Sequence, residues 1–124
     1  MANKILIADD EQNIVISLEF LMKREGFDVT VAGDGEEALK RIREIRPDLV
    51  LLDVMMPRKS GFEVCQEVKA DSELQATKIL MLTAKGRDTE VAKGLAMGAD
   101  GYMTKPFSTK ELVAKVKTLL GLGA

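Results

Sequence analysis

Histidine is absent from all 124 residues, and this absence excludes more kinds of chemistry than any other feature of the composition. Histidine is the commonest general base and the commonest transition-metal ligand in proteins. A Ser-His-Asp triad, a Cys-His dyad and a histidine-rich zinc site are therefore all excluded. Any chemistry performed by this chain must use carboxylates, hydroxyls and amines.

Cysteine and long apolar runs are also scarce. The one cysteine, Cys65, cannot form an internal disulfide, which fits a reducing compartment. No apolar run approaches the ~20 residues of a membrane helix, and no signal-peptide pattern opens the chain. The net charge of −2 gives no attraction to nucleic acid or anionic membrane. We expect a cytoplasmic protein without membrane or direct nucleic-acid contacts, folded as one domain over residues 1–124.

Strand-like and helix-like segments alternate five times along the chain, with short connections between them. Two helix starts carry capping-box patterns, Asp34 with Glu37 and Ser108 with Glu111. Helices between successive strands require parallel pairing, and right-handed crossovers place helices on both faces of the sheet. We predict an α/β fold, a doubly wound five-stranded parallel sheet in the flavodoxin-like order 2-1-3-4-5.

Four of the strand-like runs stop at residues that can bind a metal ion or a phosphate. The runs 4–8, 49–52, 78–82 and 101–104 are followed by Asp9-Asp10, Asp53, Thr83 and Lys105, respectively. The predicted order makes strands 1 and 3 neighbours at the point where ligands bind such sheets. The pattern therefore predicts that the carboxylates, the hydroxyl and the ammonium converge on one site.

Three neighbouring carboxylates imply a bound cation, protonated carboxyl groups, or both. Two like charges about 4 Å apart repel by roughly 4 kcal/mol at an effective dielectric constant of 20, whereas a surface ion pair returns at most about 1 kcal/mol. Oxygen ligands without histidine favour a hard ion, Mg²⁺ first and Mn²⁺ as the alternative. We assign Asp10 and Asp53 as direct ligands, Asp9 as a water-mediated ligand, and the backbone carbonyl of Met55 as another.

A magnesium site of this kind suits phosphoryl transfer. Asp53 stands alone at the end of a central strand, facing the acidic pair, and is the best candidate for a carboxylate nucleophile that forms an aspartyl phosphate. Lys105 supplies a positive charge for the phosphoryl oxygens, and Thr83 can donate its hydroxyl to one of them. Asp9 and Asp10 could instead cap the first helix, and Tyr102 could be an ordinary strand aromatic.

The whole chain resembles the receiver domain of two-component response regulators, chemotaxis regulators among them. The resemblance rests on these residues, in matching order and spacing: Asp9-Asp10, Leu51-Leu52-Asp53, Met56-Pro57, Gly61, Leu82-Thr83-Ala84 and Lys105-Pro106-Phe107. It implies a signalling switch, not a turnover enzyme.

The resemblance also assigns roles. It implies that Asp53 receives its phosphoryl group from a phosphohistidine on a sensor histidine kinase or a histidine phosphotransfer protein. It implies a cis peptide bond before Pro106, and it assigns Pro57 and Gly61 to the structure of the site. On phosphorylation Thr83 and Tyr102 would move, and the surface of the fourth helix, fifth strand and fifth helix would change toward a downstream target or a fused output domain.

Two residues differ from the best-known chemotaxis regulators. The resemblance implies that Met55 and Lys85 lie beside the phosphoryl group, where a carboxylate or amide could orient water, and neither residue does this well. We therefore predict slow self-dephosphorylation, on a scale longer than seconds.

Other functions are weighed against this one. A phosphatase of the haloacid-dehalogenase type carries a second acid two residues after its nucleophile, where this chain has Met55. A flavodoxin-like cofactor binder has a phosphate loop of small residues, whereas Asp9-Asp10-Glu11 would repel an anion. A degenerate receiver would lack some of the site positions, which are all filled here. The sequence leaves open a stand-alone or excised receiver and a phosphorylation-dependent dimer, although Ala96 and Met97 depart from the winged-helix regulators' dimer pattern.

Overall fold

The computed structural model describes residues 3–84 and 88–122, with only the backbone of 88–91 included. Strands and helices alternate throughout these ranges. A short 3-10 turn, Ser72–Leu74, precedes the fourth strand. The elements are β1 (Lys4–Ala8), α1 (Gln12–Arg24), β2 (Asp28–Ala32), α2 (Gly35–Ile45), β3 (Leu49–Asp53), α3 (Gly61–Ala70), β4 (Lys78–Ala84), α4 (Asp88–Ala96), β5 (Gly101–Lys105) and α5 (Thr109–Leu119).

The five strands form one parallel sheet in the order β2-β1-β3-β4-β5. The predicted architecture and strand order are therefore confirmed. β3 lies in the centre, and all of its residues are buried. Because a strand covered on both faces has no polar side, it is a continuous apolar run. β2 and β5 are the edge strands.

Successive residues of the central strands point to opposite faces, so the core has two halves. On one face, side chains such as Leu6, Val50 and Ile79 pack against α2 and α3. On the other, side chains such as Ile7, Leu51 and Leu80 pack against α1 and α5. Helices thus cover both faces, as predicted. Cys65 lies in the first half, where burial raises the pKa of its thiol to about 11.

Both predicted capping patterns mark real helix starts. The Asp34 carboxylate accepts a hydrogen bond from the Glu37 N–H at 2.8 Å, and the Glu37 carboxylate accepts one from the Gly33 N–H at 2.7 Å. The reciprocal bond of this box therefore lies one residue earlier than in the standard pattern. Ser108 accepts from the Glu111 N–H at 3.3 Å. These bonds satisfy N–H groups that have no partner within a helix.

Several element boundaries differ from the sequence prediction by one residue. β3 includes Asp53, β4 extends to Ala84, one residue past Thr83, and β5 includes Lys105 itself. Lys105 is therefore held by the sheet, not by a loop. Among the described residues no helix is long and apolar enough to cross a membrane.

Candidate functional site

Three carboxylates meet where β1 and β3 end. The parallel register pairs Ala8 with Leu52, so Asp9 and Asp53 follow side by side. Ligand oxygens of Asp9, Asp10 and Asp53 all lie within 4.8 Å of one another. Asp9 and Asp53 are buried and Asp10 is exposed. This arrangement can hold a hard cation and leaves an approach from solvent along Asp10.

Lys105, the last residue of the edge strand β5, extends its side chain into this cluster. Its ammonium nitrogen lies 2.9 Å from Asp9 Oδ2, 3.3 Å from Glu11 Oε1 and 3.4 Å from Asp53 Oδ1. An ammonium has three N–H donors, and three carboxylates face them here. Burial alone would lower the pKa of Lys105, but the bond to Asp9 and the charges of Asp53, Asp9 and Glu11 raise it. The group is a fixed positive charge at neutral pH.

The pKa of the Asp53 carboxyl group is unusually high. Burial, reinforced by the negative charge of Asp9, raises the pKa of Asp53 to about 7. The Lys105 ammonium and the Met55 N–H, which donates to Asp53 Oδ1 at 3.4 Å, oppose this rise without cancelling it. Without a metal ion, Asp53 therefore exchanges a proton near neutral pH. A cation at the cluster would favour the ionised, nucleophilic form.

Thr83 contributes a hydroxyl that lacks a partner. The register pairs Asp53 with Leu82, so Thr83 lies one residue beyond the level of Asp53 on the adjacent strand. Its side chain is buried, and within residues 3–84 and 88–122 its Oγ1 has no hydrogen-bond partner. A buried hydroxyl without a partner costs about 1–3 kcal/mol. Such a group fits an acceptor that arrives from outside, as a phosphoryl oxygen would.

The loop from β3 to α3 fixes the rim of the site through close backbone packing. A Cβ atom at Gly61 would lie 2.3 Å from the Asp53 carbonyl oxygen, so only glycine fits there. The Pro57 carbonyl accepts hydrogen bonds from the N–H groups of Lys59 at 2.9 Å and Gly35 at 3.4 Å. The Met55 side chain, by contrast, is 61% exposed. Lys85, the other residue behind the expectation of slow dephosphorylation, lies outside the described residues.

β5 carries the remaining site residues. Tyr102 pairs with Met81, and Thr104 pairs with Thr83. Tyr102 is 44% exposed, so its ring lies partly in solvent. The Lys105–Pro106 peptide bond is cis.

Glu11 is the member of the site that the sequence analysis did not assign. It is the N-cap residue of α1, but its side chain makes no capping hydrogen bond and bonds to Lys105 across the site instead. The signal in the sequence is the acidic run Asp9-Asp10-Glu11, which by itself indicates only that the site repels anions. The partner of the Glu11 carboxylate, Lys105, lies 94 residues away in the sequence, so the run itself does not indicate the contact.

Comparison with known proteins agrees with this geometry. The family model of the response regulator receiver domain matches residues 5–117. A structure from Chloroflexus aurantiacus J-10-fl, described as a response regulator, is 36% identical over 98% of this chain and 99% of that chain, with a TM-score of 0.94. Chemotaxis response regulator CheY4 of Vibrio cholerae is 33% identical over 96% of this chain and 99% of that chain, with a TM-score of 0.90.

A longer relative shows the same fold within a larger protein. NtrX from Brucella abortus is 27% identical over 98% of this chain, with a TM-score of 0.89, but the match covers 27% of that chain. The sheet order, the acidic cluster and the family match lead to one conclusion. The chain belongs to the receiver domains of two-component response regulators, which are signalling switches and not turnover enzymes.

Proposed function

We propose that this receiver accepts a phosphoryl group on Asp53 from a phosphohistidine of a sensor histidine kinase or histidine phosphotransfer protein. The observation that carries the proposal is the environment of Asp53. Two further carboxylates lie within 4.8 Å of it, and the Lys105 ammonium lies 3.4 Å away. In the reaction a carboxylate oxygen of Asp53 attacks phosphorus, the P–N bond breaks, and its electron pair returns to the partner's imidazole.

The residues present fit Mg²⁺, with Mn²⁺ as the alternative. Asp10 is exposed and has room for a direct bond, as does Asp53 once it is ionised. Both Asp9 oxygens already accept hydrogen bonds, from Lys105 at 2.9 Å and from the Glu11 N–H at 2.9 Å, which suits a water-mediated role. The Met55 carbonyl completes the proposed set. Bound Mg²⁺ supplies charge neutralisation for the carboxylates and the phosphoryl oxygens.

The protein's own groups then stabilise the transferred phosphoryl group. Lys105 neutralises one oxygen, and the unpartnered Thr83 hydroxyl donates to another. We propose that this new bond draws Thr83 inward and that the half-exposed Tyr102, on the adjoining strand, changes position with it. The surface of α4, β5 and α5 would then present a different face to a downstream target or an output domain.

One surface next to the site fits a phosphodonor protein. A mostly apolar groove of about 300 Å³ is lined by Ile14, Lys105, Pro106 and Phe107 among others. Ile16 and Phe20 are 61% and 67% exposed on α1. A partner that brings its phosphohistidine to Asp53 would cover this apolar surface as it docks.

We extend the proposal to residues 1–124 as one receiver domain that works in the cytoplasm, either alone or attached to an output domain. The exposed Met55 side chain offers an attacking water only a weak thioether acceptor, so the aspartyl phosphate should persist beyond seconds. Following its decay with Mg²⁺ present tests this statement. Complete loss within seconds would contradict it.

The decisive experiment is incubation of the protein with acetyl phosphate and Mg²⁺, followed by intact mass measurement and sizing. We expect one added phosphoryl group in the wild type and none in Asp53→Asn. A size change would report phosphorylation-dependent dimerisation.

Asp48→Asn is the matched control, because Asp48 lies just before the opposite end of the same strand and accepts a hydrogen bond from the Lys4 N–H at 2.7 Å. It should be phosphorylated like the wild type. Equal labelling of Asp53→Asn and wild type would refute Asp53 as the acceptor.

A further inference from the structure

The Lys105 ammonium is surrounded by carboxylates. It donates hydrogen bonds to Asp9 and Glu11, at 2.9 and 3.3 Å, and its nitrogen lies 3.4 Å from Asp53 Oδ1. A phosphoryl oxygen that binds Lys105 competes with these carboxylates for its three N–H donors. Which one leaves depends on burial and on the other bonds that each carboxylate makes.

Asp9 cannot leave cheaply. Its side chain is fully buried, its distance to Lys105 is the shortest, and its other oxygen accepts the Glu11 N–H. Removing the partner of a buried charge is strongly unfavourable. Asp53 cannot leave either, since it carries the incoming group.

Glu11 has the properties of the partner that is exchanged. Its side chain is 60% exposed, so water can solvate the carboxylate as soon as it turns away from Lys105. Glu11 is the N-cap residue of α1, but its side chain does not cap the helix. Among the described residues, the side chain hydrogen-bonds to Lys105. Exposed ion pairs of this kind are weak and sensitive to salt.

We propose that Glu11 is a positioning residue that occupies, in the unphosphorylated protein, the Lys105 donor needed by the phosphoryl group, and so opposes phosphorylation. The inference rests on the proposed function and adds a regulatory contact to it. Glu11 lowers the affinity of the site for a phosphoryl group by the strength of its own bond to Lys105, which for an exposed pair corresponds to about two- to fivefold.

The test measures the dissociation constant of beryllofluoride by ¹⁹F NMR at saturating Mg²⁺, with Mg²⁺ affinity determined separately for each variant. We expect Glu11→Gln to bind beryllofluoride about two- to fivefold more tightly than the wild type. The gain should shrink in 1 M salt, because the lost ion pair is exposed. Glu19→Gln is the control for charge, since Glu19 lies on the same helix and pairs with Lys23 at 3.1 Å. It should bind like the wild type.

Glu11→Asp separates loss of the contact from loss of charge. It keeps the negative charge, but an aspartate at an N-cap bonds to backbone N–H groups of the first helical turn and so withdraws from Lys105. We expect it to bind beryllofluoride more tightly than the wild type as well. If Glu11→Asp matches the wild type while Glu11→Gln gains, the effect is one of general charge and the proposal is wrong. If neither variant gains, the proposal is also wrong, although wild-type binding would still support the function of Asp53. Failure of the wild type to bind would overturn both.

Discussion

β4 has a buried threonine near each of its ends, and the two hydroxyls have different surroundings. Thr77, just before the strand, donates to the Pro47 carbonyl at 2.9 Å. Thr83, near the other end, has no partner among the described residues. The charged groups differ in the same way. At the Thr77 end Asp100 Oδ2 accepts from Lys69 at 2.9 Å and from the Ile79 N–H at 2.8 Å.

At the Thr83 end, one lysine faces three carboxylates. The first end is therefore a completed hydrogen-bond network that stabilises the fold. The second end carries excess negative charge and a hydroxyl without a partner, both of which cost stability until ligands bind. Polar residues at the two ends of the same strands thus have opposite effects on the stability of the fold.

The largest effect is expected at the Thr77 end of β4, where the hydrogen-bond network is complete. Asp100→Ala removes the partner of the part-buried Lys69 and of the Ile79 N–H, so the free energy of unfolding should fall by about 3 kcal/mol. Urea denaturation measures it. Phosphorylation by acetyl phosphate should remain under conditions in which the variant is folded. A loss below 1 kcal/mol would mean that this network is not a main support of the fold.

The next effect concerns Asp53 and pH. Its pKa is 3.8 in the unfolded chain and about 7 in the fold. Between these values the folded protein binds more protons at this group than the unfolded chain, so its stability falls as pH rises from about 4 to 7. Above pH 7 the full penalty is present, and below pH 4 it is absent.

Asp53→Asn removes this penalty. The pKa difference corresponds to about 4 kcal/mol, which exposure of the site to water reduces to about 2 kcal/mol. In EDTA the variant should be more stable than the wild type by that amount at pH 8 and equally stable near pH 4. Denaturation of both proteins across this range gives the difference directly. A pH-independent difference would contradict the raised pKa.

The paired threonines give effects of opposite sign. Thr77→Val leaves the Pro47 carbonyl without its donor and should destabilise the metal-free protein by about 1–2 kcal/mol. Thr83→Val removes a buried hydroxyl without a partner and should stabilise it by about 1 kcal/mol. Thermal denaturation of the two variants side by side makes the comparison. Destabilisation of the same size by both would show that the Thr83 hydroxyl is in fact satisfied.

The smallest effect is that of Mg²⁺. An ion that binds only the folded protein should stabilise it by about 0.8 kcal/mol at about threefold its dissociation constant. The gain should be lost in Asp10→Asn. It should be kept in Asp48→Asn, because Asp48 lies at the opposite end of the strands, where its carboxylate accepts from the Lys4 N–H. Melting temperatures recorded across an Mg²⁺ titration report this gain. Equal stabilisation of both variants would place the ion elsewhere.

Most of the fold could be predicted because its signals are local. Short apolar runs that end at Asp53 or Thr83 and capping boxes at Asp34 and Ser108 are visible within a few residues, and they fix the element order. Strand ends moved by one residue because propensity changes gradually there, whereas sheet pairing decides where a strand stops. The convergence of Asp9, Asp10 and Asp53 followed from the strand order alone.

What could not be predicted depends on side-chain directions. The bond from Lys105 to Glu11 and the network of Lys69 with Asp100 join residues 94 and 31 positions apart. Their formation requires the final positions of α1 and α3 relative to the sheet. The missing partner of Thr83 is likewise a property of the packed structure, because a hydroxyl in a sequence shows nothing about its neighbours.

Lys105 and Tyr102 belong to the same five-residue edge strand. Under the proposed function, one contacts the phosphoryl group and the other faces a target, so both ligands act on a single short element. Thermodynamic linkage is reciprocal. A target that binds the analogue-bound form tenfold more tightly must also raise the affinity of the site for that phosphoryl analogue tenfold. The phosphorylated fraction of Asp53 in a cell would then depend on the concentration of the target protein as well as on the activity of the kinase.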